Sequence, residues 1–89
     1  MRGIVIDPGA KPELYRLPDT LQELQRFMGG YAQRCPISNR FAALFYLPQA
    51  GQSLPTRHNN GRWFYGRLCL VGWRHARMTD LPKPLAEEL

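Results

Sequence analysis

Cysteine and histidine are scarce, with two of each in 89 residues. Neither Cys35 nor Cys69 belongs to a Cys-x-x-Cys pair, and His58 and His75 stand at no metal-ligand spacing from them, which argues against a zinc site. Both cysteines lie in apolar, strand-like runs and are expected as buried small hydrophobes rather than a disulfide. His58 paired with either cysteine as a nucleophile is the alternative. No apolar run approaches the ~20 residues of a membrane helix. The opening Met-Arg-Gly-Ile-Val-Ile-Asp-Pro lacks the apolar core and cleavage site of a secretory signal. A cytoplasmic protein without a membrane partner is therefore expected.

Catalytic groupings are missing as well. Asp19 and Glu23 are four apart, but helix capping uses them. Ser38 and Ser53 fall in loops, not in a nucleophile elbow. The sequence thus reads as that of a non-enzyme needing no cofactor. There is no internal repeat, low-complexity tract or linker. The length suits one domain, 1–89, with stability on the order of 5–10 kcal/mol.

Lysine is nearly absent, since ten of the twelve basic residues are arginine. Acids are wholly absent from positions 24–79, which hold Arg26, Arg34, Arg40, Arg57, Arg62, Arg67, Arg74 and Arg77. All seven acids lie outside that stretch, so the middle of the chain carries more positive charge than the net +5 shows. The planar guanidinium suits phosphate and carboxylate recognition, and a field of one sign attracts anionic partners. The competing reading is arginine for solubility alone.

The pattern of apolar residues and breakers predicts an α+β domain. It has a mostly antiparallel sheet of about four to five strands, with one short helix packed on a face. Positions 3–6 read as a first strand closed by the turn Asp7-Pro8-Gly9. Positions 13–17, bracketed by Pro12 and Pro18, read as an edge strand. Thr20 and Glu23 form a capping box, with Asp19 and Gln22 as the alternative cap. Leu21, Leu24, Phe27 and Met28 fall on one helical face, and Gly29-Gly30 ends the helix with one glycine as a left-handed cap. Positions 31–37 and 41–47 form a hairpin about Ser38-Asn39-Arg40. A loop follows over 49–61, with Asn60-Gly61 as a turn, and then one long strand over 62–73. Gly66 and Gly72 there mark a bulge or a close backbone approach. Positions 84–89 could add a short C-terminal helical turn.

The order of these pieces carries a resemblance. Ile4 with Asp7-Pro8-Gly9 is followed by Thr20, Leu21-x-x-Leu24-Gln25-x-x-x-Gly29-Gly30-Tyr31, Pro36-Ile37, Leu54-Pro55 with Asn59, Gly66 and Val71-Gly72. This arrangement resembles the bacterial and phage family catalogued as domain of unknown function 3846, over roughly positions 1–72. The resemblance implies a setting on phages, plasmids or integrative elements and implies no activity. The sequence departs from that family in having no acid over 48–60, and in its ending, where Arg74, His75 and Arg77 precede an acidic tail.

The candidate binding residues are Arg57, His58, Arg62, Trp63, Tyr65, Arg67, Arg74 and Arg77. On one continuous strand, Trp63, Tyr65, Arg67 and Trp73 would share a face. Rings alternating with guanidiniums suit single-stranded nucleic acid, because rings stack on bases and arginine holds phosphates. The same residue types suit a protein interface. A third reading makes the aromatics core, with arginine stems covering it. Asp7-Pro8-Gly9 with Lys11 and Gly29-Gly30-Tyr31 read as structural turns.

The expected function is a non-enzymatic binding protein of a mobile element. It would dock on a host nucleic-acid-handling complex or on nucleic acid, for example as an anti-defence (anti-CRISPR-type) inhibitor. A binder that sequesters an anionic nucleotide signal, or an accessory domain without ligand, is the alternative.

Overall fold

A computed structural model of the protein describes residues 1–37, 40–48, 55–59 and 62–83, as backbone at 36, 55–59 and 62. The chain runs β1 (Arg2–Ile6), β2 (Glu13–Arg16), α1 (Leu21–Met28), β3 (Gln33–Pro36), β4 (Ala42–Tyr46), β5 (Pro55–Asn59), β6 (Arg62–Tyr65), β7 (Leu68–Arg74) and β8 (Arg77–Thr79). The main sheet has the order β2-β1-β7-β4-β3, with β8 also paired to β7, while β5 and β6 form a separate hairpin. Every pairing among the described residues is antiparallel. The α+β class is as expected, with α1 packed on one face of the sheet. No helix among the described residues is long and apolar enough to cross a membrane.

β7 organises the sheet. It pairs with β4 along one edge, and along the other with β1 over 68–71 and then β8 over 72–74. Its two-residue spacing sends Cys69 and Val71 to one face, where they join Val5, Ala43, Phe45, Leu17, Leu24, Met28 and Ala32 under the helix. Leu68 turns to the other face, with Ile4, Ile6, Ala42, Leu44 and Tyr46. That second face is covered by Phe64 of β6 and by Leu81. The Phe64 ring meets Tyr46 edge-on at 5.3 Å, a favoured aromatic geometry. The sheet is therefore enclosed on both sides, which is why β4 is buried at every position.

α1 begins and ends as its sequence dictates. The Thr20 hydroxyl accepts the Glu23 amide at 3.2 Å, and Gly29 takes φ 100° at the C-cap. The Gln25 side-chain oxygen then accepts the Ala32 amide at 2.9 Å, fixing how the chain leaves the helix toward β3. Leu24 and Met28 are buried, each burial being worth about 1.5–3 kcal/mol. Leu21, expected on the same apolar face, is instead 45% exposed.

Two local expectations are corrected, and one strand appears that the sequence does not announce. The long strand over 62–73 is two strands, because Gly66 takes φ 73° between β6 and β7. The loop expected over 49–61 contains β5, which pairs with β6. Beyond β7 the chain folds back as β8 through His75 and Ala76, both at positive φ (51° and 58°). Such a two-residue turn suits the twist of a hairpin, but neither residue advertises it. The helical turn expected over 84–89 and the Asn60-Gly61 turn lie outside the described residues.

Candidate functional site

The break at Gly66 divides the expected Arg/aromatic surface. Phe64 points into the core, and its neighbours Trp63 and Tyr65 lie on the outer side of the hairpin, with Trp63 55% exposed. The strand register sets His58 opposite Trp63, Arg57 opposite Phe64 and Asn59 opposite Arg62. Trp73, by contrast, packs against the helix-side core. Trp63 and Tyr65 thus share no face with Trp73, contrary to the single-strand expectation.

Arg67 is taken up by the fold. Its Nε donates to Asp7 Oδ1 at 2.7 Å, one Nη donates to Asp7 Oδ2 at 3.2 Å, and the other donates to the Phe27 carbonyl at 3.3 Å. Its guanidinium also lies 4.7 Å from the centre of the Phe27 ring. The hydrogen bonds to Asp7 raise its pKa further above the ordinary arginine value. Arg67 ties the first turn, the helix end and β7 together. Arg2 is likewise occupied, donating through Nε and Nη2 to the Leu81 carbonyl at 3.0 and 2.8 Å.

Arg74 and Arg77 lie at the free tip of the β7–β8 hairpin, opposite one another in register and exposed. The same end of the sheet carries Arg40, just before β4, and Arg16, at the end of β2; both are exposed. Arg40 lies 4.9 Å from the centre of the Phe41 ring. Arg34, exposed on the edge strand β3, extends over Trp73 with its guanidinium 4.7 Å from the ring centre. Arg34 is not among the candidates legible in the sequence, because β3 is separated from β7 by β4 and only the reach of the Arg34 side chain brings it over Trp73.

Arg34, Trp73 and Arg77 line one cleft of about 610 Å³. Its wall includes Tyr31 and Leu21, 67% and 45% exposed, and buried Phe45 and Ala32 lie among its lining. Asp19 is the acid in this lining, and its carboxylate is bound to the Met1 ammonium at 2.8 Å. That hydrogen bond holds the Asp19 carboxyl below its ordinary pKa. The sequence groups Tyr31 with the helix stop; the stop is Gly29, and Tyr31 beyond it presents an exposed ring. The cleft can hold a flat ring against an aromatic and guanidinium layer while placing a cation beside it.

Cys35 and Cys69 form no disulfide; Cys69 is fully buried and Cys35 partly so. Burial pushes the Cys69 thiol up to about 12. Among the described residues no group of three or more His, Cys, Asp and Glu side chains could hold a metal ion. In comparisons with known proteins the chain matches no family model, no curated protein and no solved structure. The resemblance to domain of unknown function 3846 therefore rests on the motif residues alone.

Proposed function

We propose that this protein is a non-enzymatic, cytoplasmic binding module of a mobile element that docks on an anionic partner through the Arg/aromatic end of its sheet. The partner is nucleic acid or a host complex that handles it, and interference with a host defence system is the concrete form. The observation that carries the reading is the gathering of Arg34 from β3 and of Arg74 and Arg77 from the β7–β8 hairpin around Trp73, although β3 is far from that hairpin in sequence. Aromatic rings with arginine are the residues that dominate interface energetics. The mobile-element setting comes from the sequence resemblance.

Arg57, His58, Arg62, Trp63 and Tyr65 sit on the β5–β6 hairpin, which joins the sheet at the end opposite Arg74 and Arg77. They form a second area that the same partner could reach only by wrapping the molecule.

A pull-down from host lysate with and without nuclease tests the reading. A partner retained by the wild-type chain and lost from the Arg74→Glu, Arg77→Glu variant is the expected result. No retained partner under either condition contradicts it.

A further inference from the structure

Resting on that reading and narrowing it, we infer that the cleft beside Trp73 seats an unstacked base of a single-stranded nucleic acid, with Arg77 beside the adjoining phosphate. Four features of the cleft point to this ligand. The Arg34 guanidinium over Trp73 makes a planar cationic layer, and nucleobases stack on guanidinium planes as they do on aromatic rings. Tyr31 adds a second, largely exposed ring in the same cleft. Arg77 supplies positive charge at the rim, and it is exposed. Asp19, the one carboxylate in this lining among the described residues, is already paired with an ammonium, so it offers little repulsion to a phosphate.

The concave shape selects single strands. A duplex can offer phosphates to an arginine, but its base faces stay covered by their neighbours. Only an unpaired nucleotide can put a base face on the Trp73–Arg34 layer. The acid-free stretch 24–79 supplies most of this wall, including Tyr31, Arg34, Trp73 and Arg77, so charge complementarity favours a polyanion over a neutral ligand.

The experiment uses the Trp63→Phe chain, which leaves Trp73 as the single tryptophan because the sequence has two. Its fluorescence is titrated at low salt with a thymidine oligonucleotide, with the same length of duplex, and with a mononucleotide. The expected result is quenching by the single strand alone, weakened as salt rises. Tyr31→Ala should weaken binding about five- to a hundredfold, the usual effect of removing one stacking ring. Arg77→Ala should weaken it and lower the salt slope by about one phosphate's share. Tyr31 and Arg77 are both exposed, and thermal melting checks that the variants fold. Lys11→Ala, exposed at the opposite end of the sheet and outside the cleft, should leave the quenching unchanged.

Oligonucleotide binding that leaves Trp73 fluorescence and both variants unaffected would overturn the cleft assignment while preserving the wider docking reading. Equal affinity for the mononucleotide would overturn the polymer assignment in favour of nucleotide capture. Equal affinity for duplex would overturn the base-stacking argument. No binding of any of the three would overturn the inference, and the lysate experiment would then decide the wider reading by itself.

Discussion

Glycine 72 shows how tightly one residue can be held. A Cβ there would meet the Asp80 carbonyl and the Thr79 hydroxyl, because β8 turns off beside it. Gly72→Ala is expected to cost roughly 1–3 kcal/mol, toward the upper end since the obstacle includes backbone. Gly30→Ala meets only a Leu47 methyl at 4.0 Å and should change stability by less than about 0.5 kcal/mol. Urea denaturation of the two variants makes the comparison, and equal midpoints would refute the crowding at Gly72. The sequence already marked Gly72 as a close approach, but not what approaches it.

Arg67 is a binding candidate in the sequence on its aromatic neighbours alone. Its bonds to Asp7 and Phe27 assign it to the fold, so Arg67→Ala should lower stability by about 1–2 kcal/mol, modest because the pair is partly solvent-screened. Partner binding per folded molecule should not change; a loss of binding without loss of stability would return Arg67 to the docking surface. The Cys69 thiol offers a third check. Its pKa is raised from 9.0 to about 12 by burial, so the folded thiol keeps its proton where the unfolded one loses it. The stability this contributes is whole below about pH 9 and is lost as pH rises from there toward about 12. Native protein treated with iodoacetamide at pH 8 should leave Cys69 unmodified, and unfolding in urea should expose it. Modification of native Cys69 at the unfolded rate would show that it is not sealed.

Elements differed in how openly the sequence declared them. α1 carries its own start in Thr20 and its own stop in Gly29, so local chemistry suffices to place it. β2 was legible as an edge from its two flanking prolines. β5 and β8 were not, because their evidence is tertiary. β5 is polar and near a strong turn signal, and it becomes a strand only by pairing with β6. β8 depends on a turn through His75 and Ala76, which lack the Asn-Gly signature that would reveal it. The β5–β6 hairpin closes its face of the sheet largely through Phe64, 3% exposed. Phe64→Ala should therefore cost about 3–5 kcal/mol, a large part of what a domain this size possesses. Chemical denaturation would show it, and a loss under about 1 kcal/mol would mean that the hairpin does not seal the core.

On the scale of the whole molecule, the fold sorts arginines that the sequence presents as one group. Arg2 and Arg67 hold elements together, whereas Arg16, Arg40, Arg74 and Arg77 lie exposed at one end of the sheet and Arg34 reaches toward it over Trp73. Composition made a basic middle legible. It could not say which arginines meet, since that follows from β7 being flanked by β4, β1 and β8. The cleft is legible only in three dimensions: Tyr31 and Arg34 come from the segment entering β3 and Trp73 from β7, and Tyr31 stands beside a helix stop that explains its neighbours by itself.

The central claim is that this end of the sheet holds an anionic partner. The most direct test purifies the wild-type chain and the Arg74→Glu, Arg77→Glu variant from cells at low salt. Each is run by size exclusion with light scattering, recording the 260/280 nm absorbance ratio at low and high salt. The account predicts that the wild-type chain carries excess mass at low salt, with 260 nm absorbance where the partner includes nucleic acid. High salt should release it, and the variant should lack it. Identical masses and spectra for both proteins at both salts would contradict the claim.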